Sequence, residues 1–111
     1  MTAPAHPVLP GTLEMLILRA LSTGERHGLE VARRIEQMTH GAFEVKAGSL
    51  FPALHRMERA GWLRSVWDAS DSGRRARYYE LTAKGRRQLD AETARWQRVV
   101  DGLASALRTS S

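Results

Sequence analysis

The spacing of apolar residues divides the chain into three short helical segments, two strand-like segments and one long helix. The first segment is predicted to be a helix that Thr12 caps and that runs to about Ser22, because apolar residues recur at helical intervals: Leu13, Leu16, Ile17, Ala20 and Leu21. Met15 and Leu18 lie off this stripe and are also apolar. A helix that is apolar nearly all round needs two neighbours, and here we expect the domain core and a second subunit.

The second segment opens at His27-Gly28 and is predicted to be helical to about Met38, after a turn over 23–26. Its apolar residues recur at helical spacing and are expected to point inward: Val31, Ala32, Ile35 and Met38. His27 is interpreted as a structural cap or turn residue.

The third segment, 45–61, organises the rest of the chain. Gly48 and Ser49 signal the start of a helix, with Pro52 within about the first turn, and Gly61 closes it with positive φ. The apolar face comprises Leu50, Ala53, Leu54 and Met57, and the other side carries Ser49, Phe51, Pro52, His55, Arg56 and Arg59. A helix with an apolar back and a polar, basic and aromatic front suits the major groove of DNA.

Beyond Gly61 the period changes from 3.6 to 2. Residues 62–68 and 76–81 are rich in β-branched and aromatic side chains and are predicted to be strands. The turn-forming cluster over 69–75 joins them into a hairpin. Arg74 and Arg75 lie at its tip, with Arg77 one strand step behind.

The last segment is a helix that Thr82 caps and that runs from Ala83 to about Leu107. At ~1.5 Å per residue it is close to ~40 Å long, too long for so small a domain to bury. Apolar residues form a coiled-coil-like seam, which predicts dimerisation: Leu89, Trp96, Val100, Leu103 and Leu107, with Met15 and Leu18 of the first helix added as candidate dimerisation residues.

Composition narrows the class of protein. The 111 residues include 17 Lys and Arg against 12 Asp and Glu, a net charge of +5, which favours an anionic partner such as nucleic acid or a membrane surface. There is no cysteine, so disulfides and cysteine-based zinc sites are excluded. No apolar run approaches the ~20 residues that span a bilayer, and no signal peptide is apparent, so we expect a cytoplasmic protein.

The four histidines form no HxxxH pair, and Ser49 and His55 fall on different faces of one helix. We therefore expect no catalytic site, no metal and no cofactor.

Several motifs together resemble the PadR-like transcriptional regulators over about residues 9–90. They are Gly11-Thr12-Leu13-Glu14-Met15-Leu16-Ile17-Leu18, His27-Gly28, Gly48-Ser49-Leu50-Phe51-Pro52-Ala53-Leu54, Arg59-Ala60-Gly61-Trp62, Arg74-Arg75-Ala76-Arg77-Tyr78-Tyr79 and Leu81-Thr82-Ala83-Lys84-Gly85. The family usually has tyrosine where this chain has Phe51, so a hydroxyl that would bind a phosphate is absent here.

The resemblance implies a mainly α fold with a β-hairpin wing, a winged helix-turn-helix followed by a long dimerisation helix. The expected division is a flexible arm over 1–10, a DNA-binding domain over 11–82, the dimerisation helix over 83–108 and a tail over 109–111. The implied function is a homodimeric repressor that binds a palindromic operator in double-stranded DNA and that an aromatic or hydrophobic small molecule can release. The alternative is a winged-helix module that binds protein or RNA.

The candidate DNA contacts come from the third helix and the hairpin: Lys46, Ser49, Phe51, Pro52, His55, Arg56, Arg74, Arg75 and Arg77. The arginines of the hairpin are suited to phosphates or the minor groove, and otherwise form a solvated tip. Lys46 and Arg56 are suited to phosphates or guanine edges. Trp96 is either a seam aromatic that packs on the partner's first helix or a platform for a flat ligand.

Overall fold

The computed structural model describes residues 11–69 and 75–110. Four helices and three strands follow one another: α1 (Thr12–Ala20), β1 (Arg26–His27), α2 (Gly28–Met38), α3 (Ala47–Arg59), β2 (Leu63–Ala69), β3 (Arg75–Leu81) and α4 (Ala83–Arg108). The architecture is the predicted one, mainly helical with a small antiparallel sheet. The arm predicted over 1–10 lies outside the described residues.

Helices α1, α2 and α3 enclose the core because each has an apolar face. Their most deeply buried residues include Ile17 and Leu18 of α1, Val31 and Ile35 of α2, and Leu50 and Leu54 of α3, all fully buried. The four apolar residues expected on the inner face of α3 are all buried. Leu18 is therefore part of the protomer's own core, which corrects its assignment to a subunit interface.

Two predicted helix starts need correction. The N-cap of α1 is Gly11, at φ 83°, and Thr12 is the first helical residue, buried without a hydrogen-bond partner for its hydroxyl among the described residues. Helix α3 begins at Ala47, with Lys46 as N-cap, so Pro52 is its sixth residue. Proline in this second turn removes one hydrogen bond of the helix rather than an orphan N–H of the first turn.

The sheet has the order β1-β3-β2 and is antiparallel throughout. Strands β2 and β3 form the predicted hairpin, which we call the wing, with Leu63 opposite Leu81 and Ala69 opposite Arg75. The short strand β1, where the sequence predicted the end of a turn at Arg26 and the opening of a helix at His27, pairs with Tyr78 and Tyr79 of β3. Two residues carry too little pattern to predict a strand; the edge that β3 offers decides their conformation.

The end of α3 and the start of α4 are tied together. The Thr82 hydroxyl accepts the N–H of Gly85 at 3.0 Å, which confirms its predicted cap, and donates to the Gly61 carbonyl at 2.6 Å. Lys84 Nζ donates to the Ala60 carbonyl at 2.8 Å, so it stabilises the end of α3 rather than facing only solvent. Gly61 has φ 84°, as its closing role requires. These bonds orient α4 against the third helix.

Helix α4 packs on the domain only near its start. Leu89 is buried against the core, Trp96 is half-buried, and beyond it Val100, Leu103 and Leu107 are 53%, 61% and 87% exposed. The helix is 26 residues long. Its second half therefore extends past the domain with an apolar stripe open to solvent.

Candidate nucleic-acid interface

The face of α3 that lies opposite the core is exposed. At about 100° per residue, Gly48, Pro52, His55 and Arg59 lie farthest from the buried face, and all four are exposed. Within residues 11–69 and 75–110, neither His55 nor Arg59 makes a side-chain hydrogen bond or ion pair. Free basic and ring nitrogens on a convex helix face are the groups that recognise DNA bases and phosphates.

Lys46 and Ser49 are exposed at the N-terminal end of this face. The sequence also places Arg59 on the outer side of the helix, although it is not among the candidate contacts predicted above. Its position on the helical wheel, in line with Pro52 and His55, is the signal that could have included it.

Phe51 lies at the edge of the same face and packs on the start of α2. Its side chain is 37% exposed. A Cβ placed on Gly28 would lie 2.7 Å from the Phe51 ring, so any larger residue there would require the ring to shift. His27 is the N-cap of α2 and forms a capping box with Glu30, which confirms its predicted structural role. The Phe51 ring, by packing beside Gly28, joins α2 to the exposed face of α3.

Arg56 lies on one flank of α3 and forms an ion pair with Glu14 of α1. Arg56 Nη2 and Glu14 Oε1 are 2.9 Å apart, and the arginine side chain remains 52% exposed. An exposed pair of this kind is weak, so the guanidinium can exchange its carboxylate for another anion.

The arginines of the wing that were predicted to contact DNA differ in their surroundings. Arg74 lies outside the described residues, and Arg75 is the first residue of β3, where the strand leaves the tip. Arg77 is engaged within the protein: its Nη2 lies 3.5 Å from Glu58 Oε1, and its Nε donates to Ser65 Oγ at 3.0 Å. Trp67, on the same face of the wing, is 57% exposed, so it is a hairpin residue rather than a core residue.

The residues predicted to dimerise fall into three groups by their burial. Leu18 and Leu89 are buried in the protomer itself, whereas Val100, Leu103 and Leu107 are exposed on α4. Met15 and Trp96 are half-buried between these extremes. Val99, 38% exposed, belongs with the second group, and the sequence does not single it out because it falls outside the seven-residue spacing.

Trp96 lies beside the start of α1, with its ring about 4.0 Å from the position of a Cβ on Gly11. The Arg95 guanidinium lies 4.9 Å from the ring centroid. The indole N–H is buried and has no hydrogen-bond partner among the described residues.

Comparison with known proteins identifies the architecture. Residues 17–91 match the family model described as "Transcriptional regulator PadR-like family". The chain belongs to this family. PadR-like regulators are DNA-binding proteins, and this chain is accordingly a DNA-binding regulator of transcription.

Solved structures of PadR-like regulators superpose on the chain over most of its length. One from Bacillus cereus is 31% identical, with a TM-score of 0.80, and covers 93% of this chain and 98% of its own. One from Eggerthella lenta is also 31% identical, with a TM-score of 0.71, covering 90% and 85% of the two chains. One from Clostridium difficile is 27% identical, with a TM-score of 0.74 and coverage of 87% and 99%.

The described residues, 11–69 and 75–110, include neither a candidate membrane span nor a candidate metal site. No helix there is long and apolar enough to cross a membrane. No group of three or more His, Cys, Asp or Glu residues in that part of the chain is placed to hold a metal ion.

Proposed function

We propose that this PadR-like regulator is a homodimeric repressor of a palindromic operator. Residues 11–82 form the DNA-binding domain and residues 83–108 the dimerisation helix. The observation that carries the proposal is the exposed face of α3, where His55 and Arg59 have no partner within the described residues while the opposite face is fully buried. Two such helices, one per protomer, would enter successive major grooves, roughly 34 Å apart.

The proposed contacts are of two kinds, those to base edges and those to the DNA backbone. Lys46 and Arg59, at the two ends of α3, are proposed to contact phosphates. The side chains proposed to contact base edges lie between them: Ser49, Phe51, Pro52, His55 and Arg56. Phe51 offers only apolar contact, for example to a thymine methyl group. Arg74 and Arg75 are proposed to hold the backbone or enter the minor groove from the wing.

Footprinting on the DNA upstream of the protein's own coding sequence, followed by binding to a library of single-base operator variants, tests the proposal. His55→Ala should relax preference at one symmetric pair of base positions, at a cost of ~0.5–1.5 kcal/mol per half-site for the loss of one hydrogen bond. Arg75→Ala should weaken binding to every sequence alike and lower the slope of log K against log salt by about one for each phosphate that is no longer neutralised. Equal binding to all sequences by the wild-type protein would overturn specific recognition.

We propose further that a flat aromatic effector reaches Trp96 and alters the packing of α1 against α4, which would change the separation of the two reading helices. The buried, unpartnered indole N–H supports a site that a polar group of a ligand can satisfy. The probe 1-anilinonaphthalene-8-sulfonate should bind the wild-type protein and fail to bind Trp96→Leu, whereas Trp67→Leu should leave binding intact. Equal binding by both variants would refute the assignment of Trp96.

A further inference from the structure

A continuous set of polar contacts links the end of α3 to the middle of the wing. Ser65 Oγ donates a hydrogen bond to Glu58 Oε2 and accepts one from Arg77 Nε at 3.0 Å. Arg77 Nη2 lies 3.5 Å from the other oxygen of the same carboxylate. The contacts therefore join α3, β2 and β3 through three side chains, each from a different element.

Two aromatic rings also lie beside the Arg77 guanidinium. Its central carbon is 5.7 Å from the centroid of Trp67 and 5.9 Å from that of Tyr79. Tyr79 is 2% exposed, and burial raises the pKa of its hydroxyl, so the ring is neutral at physiological pH. Both rings lie within the ~6 Å range of cation–π attraction, which favours the guanidinium in this position.

The Arg77 side chain is less exposed to solvent than that of another arginine of the wing. The Arg77 side chain is 34% exposed, whereas that of Arg64, on the opposite face of the wing, is 62% exposed. To reach a phosphate, Arg77 would have to leave a carboxylate, a hydroxyl and two rings. The guanidinium fork matches all of these partners at once, and lysine would not.

We infer that Glu58, Ser65 and Arg77 form a brace that sets the angle of the wing to the reading helix, and that Arg77 is a positioning residue rather than a DNA contact. This inference rests on the proposed function, since it concerns how α3 and the wing meet one operator. Strand β1 pairs only with Tyr78 and Tyr79, so the rest of the wing is a two-stranded hairpin. Such a hairpin has little stability of its own, and contacts to a helix help to hold it in one direction.

The brace completes a two-sided support of α3. Glu58 and Arg56 lie on opposite flanks of the helix, about 160° apart on the helical wheel, the first paired with the wing and the second with Glu14 of α1. The Arg56 pair is exposed and exchangeable, whereas the brace is partly buried and includes a hydroxyl that serves both charged groups. Only the brace is therefore built to persist when DNA is bound.

Two variants that leave the net charge unchanged test the inference. Arg77→Lys keeps a cation for a phosphate but lacks the fork, and Ser65→Ala removes the shared hydroxyl. We expect both to weaken operator binding, Arg77→Lys by about fivefold to thirtyfold and Ser65→Ala by less, with the salt slope equal to that of the wild type. The double variant should bind no more weakly than Arg77→Lys alone, because both changes break one unit.

Arg75→Ala is the matched control, since it is expected to lower the salt slope. Wild-type affinity for both Arg77→Lys and Ser65→Ala, together with a lowered slope for Arg77→Ala, would identify Arg77 as a phosphate contact and overturn the brace.

A second measurement needs no DNA. Amide hydrogen exchange in β2 and β3 should be faster in Arg77→Lys than in the wild type, with exchange in α1 and α2 unchanged. Unchanged exchange in the wing would refute the brace. Failure of the wild-type protein to select any operator would instead refute the proposed function, because that result does not depend on the variants.

Discussion

Two side chains that the sequence places on the reading face of α3 also contact the protein itself. The Phe51 ring occupies the space beside Gly28 that a Cβ would fill, and Arg56 is paired with Glu14. Such contacts pre-order the interface, since a side chain already held in one rotamer gives up less entropy when DNA binds. The two differ in consequence: the apolar contact leaves Phe51 37% exposed for DNA, whereas the ion pair competes with DNA for the same guanidinium.

Glu14→Gln should therefore tighten operator binding. Removing the carboxylate frees Arg56 without changing the shape of residue 14, and an exposed pair is worth about 0–1 kcal/mol, so the gain should be at most about fivefold for each half-site. Equilibrium binding at constant salt measures it. Glu92→Gln is the control, because Glu92 forms a similar pair with Arg95 on α4 at 2.7 Å. Equal gains in both variants would mean that net charge alone, and not release of Arg56, accounts for the effect.

The start of α4 lies very close to the backbone that follows α3. A Cβ on Gly85 would overlap the Trp62 carbonyl oxygen, and that carbonyl already accepts the N–H of Thr82 at 3.0 Å. The backbone of α4 can come this close only because residue 85 has no side chain. The direction in which α4 leaves the domain follows from this contact.

Gly85→Ala should destabilise the protein, because the carbonyl is part of a bonded backbone and has no room to move. We expect a decrease of about 1–3 kcal/mol in the free energy of unfolding, as for an overpacked site. Gly102→Ala, in the same helix, has nothing within 4 Å of its Cβ and should instead stabilise by about 0.5–1 kcal/mol. Denaturant unfolding compares the two, and equal effects would show that the Trp62 contact does not constrain α4.

At the scale of the whole molecule, the exposed half of α4 forms the proposed dimer interface. Leu103 and Leu107 are 61% and 87% exposed, and Val99 and Val100 continue the same surface. An apolar stripe of this length on an otherwise charged helix is typical of a helix that packs against another chain.

Leu103→Asp should convert the proposed dimer into a folded monomer. A charge buried without a partner in the interface is costly, whereas in the protomer the side chain is largely exposed and the core is undisturbed. Light scattering measures the mass, and circular dichroism the helix content. Leu29→Asp is the control, since Leu29 is 58% exposed on α2. A Leu103→Asp protein that still has the mass of a dimer would place the interface elsewhere.

The sequence by itself determined the four helices, the β-hairpin and their order along the chain. Apolar residues at helical spacing predicted α2 and the buried face of α3, alternation predicted the wing, and Thr82 and Gly61 were placed correctly as cap and terminator. These features depend on local conformation and on burial of one face, both of which are encoded in nearby residues. The motifs in their order also indicated the family.

Only the tertiary structure decided which side chains remain available to bind DNA or a second subunit. Leu18 is apolar and off the main stripe, yet it is fully buried in the protomer's own core. Arg77 is as basic as Arg75, yet Glu58 and Ser65, distant in sequence, contact two of its three guanidinium nitrogens. Strand β1 exists because β3 offers it an edge. In each case the deciding contact joins residues far apart in the chain, and neither spacing nor composition encodes how helices and strands meet.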